Sequence, residues 1–299
     1  MTILLHLLLV LVVAPLLPGV ISRTKAIVAG RTGPPLLQGY YDIAKLLQRG
    51  TVLSGSTTPI FLIGPAVALG GAVLASLMLP LGASSAPVAF VGDVIVFVYI
   101  FALARFFTTS AALDTGSAFE GMGAAREVTF AVLTEPAILL GMLALARLTH
   151  SLSLSGMLRI GWGVRQTSSA ALVLVIASWL IVLLAENSRV PFDDPNTHLE
   201  LTMIHEVMVL DHSGPDLGLI LYGAAMKLLL SATLIGDLLR PATGSPLLDT
   251  LAFLVILLLL AGAVGLVESA MARLRMIRVP QLLIGTTLLS FFALILLLR

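Results

Sequence analysis

Long apolar runs alternate with short polar segments along the whole chain. About 20 helical residues cross a bilayer core about 30 Å thick, and the runs predict eight spans, at residues 2–21, 58–80, 88–108, 128–148, 168–188, 216–239, 247–268 and 280–298. The first run lacks the basic region of a signal peptide, so we interpret it as a retained span. The strict alternation of membrane β-barrel strands is absent. The pattern predicts an all-α membrane protein, with residues 1–299 forming a single integral membrane domain.

Basic residues are distributed unequally between the two sides of this predicted bundle. The loops 22–57, 109–127, 189–215 and 269–279 hold ten of them, whereas the opposite loops hold three, Arg159, Arg165 and Arg240. Basic loops favour the cytoplasmic side of a membrane. We therefore expect the four charged loops to be cytoplasmic and both termini to face outward from a prokaryotic inner membrane.

The first charged loop contains an amphipathic segment. In "LLQGYYDIAKLLQ" (36–48), apolar side chains recur at helical spacing. This pattern predicts a helix lying at the cytoplasmic membrane interface.

The composition limits the chemistry that the chain performs alone. It is 58% hydrophobic and 11% charged, with a net charge of +1, so nucleic acid is not an expected partner. The chain has no cysteine, which excludes disulfides, thiolate zinc sites and iron–sulfur ligation by this chain. It also has no GxSxG motif, P-loop or GxGxxG motif. We expect a non-catalytic subunit that binds no cofactor itself.

The third charged loop, "RVPFDDPNTHLELTMIHE" (189–206), is the most polar part of the chain. Thr197 and Glu200 match a capping box, while Asp194 with Pro195 offers a competing helix start. Either start predicts a short helix of about 14 residues, ended by "HSGPD" (212–216).

Three histidines in this loop, His198, His205 and His212, recur every seven residues. On a helix they would share a face but lie about 10 Å apart along the axis, too far to bind one ion. The HExxH zinc motif fails, because Val209 occupies its last position. No metal site is expected. Hydrogen bonding to neighbouring loops or a docked subunit, and a protonatable relay, both remain open for these residues.

Two charged residues fall deep inside predicted spans, Glu135 and Lys227. A charge at this depth costs several kcal/mol, so it is a functional candidate. Glu127, Glu186 and Glu268 lie at the cytoplasmic span ends and extend a predicted ion path. The alternative is a Glu135–Lys227 ion pair that only specifies helix packing. Asp93 and Asp237, near the outer ends, are expected to be interfacial and solvated.

Four segments resemble a known family of membrane subunits. They are "AENSRVPFDDPNTHLELTMIHEVMVLDHSG" (185–214), "RTKAIVAGRTGPPLLQGYYDIAKLL" (23–47), "GMGAAREVTFAVLTEPAILL" (121–140) and "ESAMARLRMIRVPQLL" (268–283). They resemble formate hydrogenlyase subunit 4 and related energy-converting [NiFe]-hydrogenase subunits. These are homologous to respiratory complex I subunit 1, part of the NADH-quinone oxidoreductase, and that subunit shares the AE-x-x-R-x-PFD core found here at residues 185–193.

The resemblance implies an anchor for a cytoplasmic redox arm. Hydrogenase-like large and small subunits and an iron–sulfur protein would hold the [NiFe] and iron–sulfur centres, and antiporter-like membrane subunits would move protons or sodium ions. Glu135, Glu186 and Lys227 would join the ion path. The residues implied to face the arm are Arg31, Arg189, Asp193, Asp194, Glu200, His205 and Glu206.

Two other functions remain open from the sequence. In quinone-reducing relatives the same loops wall a quinone chamber, so the chain also fits the quinone-site subunit of an NADH-quinone oxidoreductase. The charges at Glu135 and Lys227 also fit a stand-alone ion transporter.

Overall fold

The computed structural model describes residues 3–193, 203–241 and 244–298. Across these ranges the chain is helical and has no β-strand. The α-helices are α1 (Ile3–Val13), α2 (Leu16–Val28), α3 (Gln38–Leu47), α4 (Pro59–Met78), α5 (Asp93–Asp114), α6 (Ala118–Thr149), α7 (Leu154–Leu158), α8 (Trp162–Thr167), α9 (Ser169–Glu186), α10 (Gly214–Leu239), α11 (Pro246–Ala270) and α12 (Val279–Leu298).

The eight predicted spans are confirmed, counting α1 with α2 as one. We call the side holding residues 29–58, 115–117, 187–213 and 271–275 the charged-loop side, and the opposite side the termini side. The central helix is α10, which contacts α3, α4, α9 and α11. Glycine allows close packing there, since Gly236 faces the ring of Phe253.

The first span is broken in its middle, which the apolar pattern did not predict. Pro15 has no N–H for the carbonyl of Leu11, because proline cannot donate the usual helical hydrogen bond. The hydroxyl of Tyr222 donates to that carbonyl at 2.9 Å, and the hydroxyl of Tyr40 donates to the carbonyl of Val12. Side chains from α10 and α3 thus satisfy backbone groups that the break leaves open.

The amphipathic helix of the first charged loop is confirmed as α3. It packs against the bundle. The backbone of Gly39 lies against the carbonyl of Pro15 at the break, and Leu46 and Leu47 pack against Gly218 at the start of α10. This helix therefore links the broken span to the central helix.

Helix α6 is longer than its predicted span of 128–148. Its 32 residues extend about 48 Å, well beyond a hydrocarbon core of about 30 Å. The added turns are on the charged-loop side, where polar residues such as Glu120 and Arg126 lower the local hydropathy. The segment 203–209 packs on these turns, with Ile204 and Val207 close to Gly123.

The helix predicted from residue 194 or 197 to about 212 is wrong in the part that is described. Residues 203–213 contain only a short 3₁₀ turn, Glu206–Val209. The carboxylate of Asp193 accepts hydrogen bonds from the amides of Ile204 and His205, at 3.0 and 3.2 Å. These two amides therefore bond to a side chain and not to helical carbonyls, and the segment packs against α6. The proposed N-terminal caps at 194–200 lie outside the described residues.

Candidate functional site

Arg105 is the centre of a charged cluster within the helix bundle. Its Nη1 lies 2.7 Å from Oε1 of Glu135, its Nη2 lies 2.7 Å from Oε2 of Glu186, and its Nε lies 3.5 Å from Oε1 of Glu127. Helix α5 thus supplies one guanidinium to two carboxylates of α6 and one at the end of α9. The planar guanidinium has five N–H donors, which suits it to contact several carboxylates at once.

Glu186 is the most fully bound carboxylate of this cluster. Its Oε2 also accepts from Nζ of Lys227 at 2.8 Å, and its Oε1 accepts from the hydroxyl of Thr134 at 2.5 Å. Two cations and one hydroxyl therefore stabilise a single carboxylate. Glu135 instead pairs with Arg105, so the ion pair between Glu135 and Lys227 that the sequence offered as an alternative is not formed between these two described residues. Among the described residues, ion pairs connect Glu135 to Lys227 through Arg105 and Glu186.

The cluster carries one net negative charge when every group is ionised, since Glu127, Glu135 and Glu186 face Arg105 and Lys227. An isolated charge in a membrane interior is costly unless it is paired or neutralised. Pro136 follows Glu135 and cannot donate a helical hydrogen bond, which leaves the carbonyl of Val132 without that donor. The site therefore combines an excess negative charge with a backbone carbonyl, that of Val132, which lacks its usual helical hydrogen bond.

Two cavities meet at this cluster. A large cavity of about 700 Å³ extends from the charged-loop side, and Glu127 and His205 line it. A smaller pocket of about 70 Å³ lies beyond the cluster, with Glu135 and Trp179 in its wall. The side chains shared by both cavities are Phe101, Arg105, Glu186 and Lys227. These four residues form a partition, which we name the Arg105 partition.

A second buried carboxylate, Glu268, lines the large cavity. Its Oε2 lies 2.8 Å from Nζ of Lys25, and its Oε1 lies 3.4 Å from Nη1 of Arg189. The Glu268 side chain is 0% exposed. One carboxylate at the end of α11 thus joins the end of α2 to the loop after α9.

Asp193 is also buried and has partners within the chain. Its Oδ1 lies 3.1 Å from Nη2 of Arg273, while Oδ2 accepts the two amides of the 203–205 segment. Glu268 and Asp193 therefore tie three charged loops into one surface.

His205 and His212 have different surroundings. His205 lines the large cavity, and burial lowers its pKa, although Glu127 and Asp193 oppose that effect. The ring of His212 stacks on Phe61, with centroids 3.9 Å apart and an interplanar angle of 9°. Burial lowers the pKa of His212 to about 4. In residues 3–193, 203–241 and 244–298, no three histidine or carboxylate side chains are grouped to hold a metal ion.

Comparison with known proteins places the chain in a family. The family model described as NADH dehydrogenase matches residues 1–298. The chain belongs to the NADH dehydrogenase family. It is a multi-pass membrane protein of the complex I subunit 1-like type, as the four sequence segments indicated.

Two curated proteins are similar to this chain over most of their length. Formate hydrogenlyase subunit 4 of Escherichia coli (strain K12) is 32% identical over 277 residues, covering 90% of this chain and 89% of that protein. Hydrogenase-4 component C of the same organism is 34% identical over 234 residues, covering 77% and 72%. A chain of the membrane-bound sulfane sulfur reductase, an archaeal respiratory membrane complex, has the same fold, with a TM-score of 0.81 at 23% identity over 99% and 100% of the chains.

The structure describes several of the residues predicted to face a redox arm, but their docking role stays a prediction. Arg31 is exposed after α2, and Glu206 begins the 3₁₀ turn and lines the large cavity. Arg189 contacts Glu268 at the end of α11, and Asp193 contacts Arg273 in the loop that follows. His205 lines the same cavity, and the remaining candidates, Asp194 and Glu200, lie outside the described residues.

The predicted ion-path residues of this family member divide into two groups. Glu127, Glu135, Glu186 and Lys227 surround Arg105, whereas Glu268 lies apart with Lys25 and Arg189. Arg105 itself was missed, because it falls near the end of an apolar run and was counted with the span. A charge inside a predicted span was the signal that would have revealed it.

Asp93 and Asp237 are not solvated as expected, since both are buried on the termini side. Asp93 accepts from the amide of Leu154 at 2.7 Å, and Asp237 lies 3.7 Å from Nε of Arg240. Loops between the spans fold over these helix ends and exclude water.

Proposed function

We propose that this protein is the membrane-anchor subunit of a membrane-bound hydrogenase or formate-hydrogenlyase-type complex. It binds a redox arm on the charged-loop side, which we take as cytoplasmic, and couples redox chemistry there to proton or sodium translocation. The arm consists of hydrogenase-like large and small subunits and an iron–sulfur protein, and antiporter-like subunits lie beside this chain in the membrane. The similarity to formate hydrogenlyase subunit 4 and hydrogenase-4 component C supports this assignment.

The observation that carries the coupling role is the position of the Arg105 partition. Ionisable side chains run from a cavity on the charged-loop side to a pocket between the helices. Residues that only specified helix packing would not require a cavity of about 700 Å³ beside them. Titratable groups beside such a cavity are positioned to exchange ions with water that enters it.

Affinity purification through a tag on this chain tests the assignment. The chain is expected to bring down a hydrogenase-type large subunit that retains its two CxxC nickel-ligand pairs, with iron–sulfur and antiporter-like subunits. The purified complex in sealed vesicles should move protons or sodium ions when its redox reaction runs. Recovery of the chain alone, with ion flux by the chain alone, would instead establish a stand-alone transporter.

A second candidate is the quinone-site subunit of an NADH-quinone oxidoreductase, and the large cavity favours it. The volume of this cavity falls within the range of about 300–1,000 Å³ that is usual for pockets that bind small molecules and cofactors. Its wall combines apolar residues such as Ile220 and Leu221 with charged ones. A co-purified large subunit lacking the CxxC pairs, together with quinone reduction, would select this function. Hydrogen evolution without added quinone would select the first.

A further inference from the structure

The carboxylates around Arg105 differ in how firmly each is held as an anion. Glu186 binds both cations of the cluster and the hydroxyl of Thr134. Glu127 and Glu135 have only Arg105 among the cations of this cluster, at 3.5 and 2.7 Å. A carboxylate bound by two cations and a hydroxyl strongly favours its charged form. One proton that neutralised the cluster would therefore reside on Glu127 or Glu135.

These two carboxylates are on opposite sides of the Arg105 partition. Glu127 lines the large cavity and Glu135 lines the small pocket, while Arg105 lines both. Glu127 and Glu135 are eight positions apart on α6, which corresponds to about 12 Å along the axis, and both carboxylates contact the same guanidinium. Arg105 therefore occupies the direct path from one carboxylate to the other.

The guanidinium is bound unequally to the two. Nη1 makes a short contact to Glu135, whereas the Nε–H group is buried and has no hydrogen-bond acceptor among the described residues. That unfilled donor faces Glu127 at 3.5 Å. A buried donor without an acceptor is costly, so a small movement of Arg105 toward an ionised Glu127 gains a hydrogen bond while it weakens the contact to Glu135.

We propose that Arg105 is a two-position switch for one proton, a role that rests on the proposed coupling function. In its first position, which corresponds to the short contact at 2.7 Å, Arg105 pairs with Glu135 while the switch holds the proton on Glu127. When the proton passes from the Glu127 carboxyl to the Glu135 carboxylate, Arg105 moves its ion pair to Glu127. Arg105 stays charged throughout and no electron moves. Glu186 remains an ionised anchor that holds the guanidinium at the partition.

The elements around Arg105 contribute unequally to the charge at the switch. Helix α4, which packs along α5, has no charged side chain. The charged and titratable groups that face the switch are Glu127 and Glu135 on α6, Glu186 on α9, Lys227 on α10, and His205 on the preceding loop.

The Nε–H group of Arg105 reports the position of the switch directly. The full chain, labelled with ¹⁵N-arginine, is studied by NMR, and Arg105→Lys identifies the signal by removing it. Glu135→Gln mimics a protonated Glu135, so the Nε–H signal should move downfield and exchange more slowly with water as it binds Glu127. Glu127→Gln should leave the signal at its unbound position. Identical signals in the two variants would overturn the proposal.

Ion movement provides the second readout, in the intact complex reconstituted in vesicles. A positioned proton-transfer group contributes on the order of 100-fold to a rate, so Glu127→Gln and Glu135→Gln should each lower redox-driven proton uptake by about that factor with the redox arm still bound. Proton uptake that persists at the wild-type rate in either variant would refute the switch. Redox-driven uptake of sodium ions in place of protons would also refute it. A wild-type complex that moves no ions would defeat the proposed function instead, while the NMR result would still test whether Arg105 has two positions.

Discussion

At the scale of single residues, the number of cations around a carboxylate determines what that carboxylate does. Glu268 is enclosed by Lys25 and Arg189 and is 0% exposed, whereas the Glu135 side chain is 36% exposed and has one cation. An enclosed anion between two cations stabilises the fold. A less enclosed carboxylate with one cation, such as Glu135, is suited to the proposed ion path. Residue type alone does not separate these roles.

Glu268→Gln should destabilise the protein, because it leaves Lys25 and Arg189 facing a neutral amide in a buried site. Removing one partner of a buried ion pair costs about 3–5 kcal/mol, and the partial exposure of Lys25 reduces this to about 2–3 kcal/mol. A lower thermal unfolding midpoint of the detergent-purified chain would show the effect. Asp42→Asn, which makes the same charge change at an exposed carboxylate, is the control. Equal midpoints would show that Glu268 is not a stabilising anchor.

His212 should make the fold sensitive to acid. Its pKa falls from 6.5 to about 4 in the folded chain, so the folded state favours the neutral ring. The stabilising contribution is complete above pH 6.5 and is lost as the pH falls toward 4, because the unfolded chain then binds the proton more readily. His212→Phe keeps the ring stack on Phe61 without titrating. Its unfolding midpoint should fall less than that of the wild type between pH 7 and pH 5, and an equal fall would contradict this assignment.

At the scale of helices, the apolar pattern located the spans but not their ends or breaks. Hydropathy identifies only the part of a helix that is apolar enough to lie in the hydrocarbon core, so it does not detect the polar first turns of α6. It also does not register the interruption of the first span, where the residues around Pro15 remain apolar. The capping signals at 194–200 predicted a helix extending to about 212, yet Asp193 binds the amides of residues 204 and 205 instead. This competing contact is not visible in local spacing.

The glycine at position 123 should be required for the loop to pack on α6. A Cβ atom there would lie 2.6 Å from the side chain of Val207 and 2.9 Å from the carbonyl of Ile204. Gly123→Ala is therefore expected to displace residues 203–209, and amide hydrogen exchange in that segment should become faster. Gly121→Ala on the same helix is a matched control, since its nearest neighbour would be 3.8 Å away. Unchanged exchange in Gly123→Ala would show that the loop adapts without moving.

At the scale of the whole molecule, the sequence indicated which charged residues are unusual but not which of them meet. Glu135, Glu186 and Lys227 are on three different helices, and Arg105 from a fourth joins two of them. Only the tertiary arrangement of α5, α6, α9 and α10 brings these residues together. The family resemblance gave the general fold, whereas the role of Arg105 required the packed structure.

The absence of cysteine allows the predicted orientation to be tested directly. Single cysteines are introduced at two exposed serines, Ser54 on the charged-loop side and Ser85 on the termini side. A membrane-impermeant maleimide applied to intact spheroplasts should label Ser85→Cys at once and Ser54→Cys only after permeabilisation. The reverse order would place both termini in the cytoplasm.

The break in the first span has a mechanical consequence. The half near the termini is fixed to α4, where Nε2 of His6 lies 2.8 Å from the carbonyl of Ser76, while the other half packs along α11. An unbroken helix would tilt as one rigid body, so a tilt at the charged-loop side would also move its end on the termini side. Because the span is broken at Pro15, we expect that α2 can tilt while α1 keeps its contact with α4.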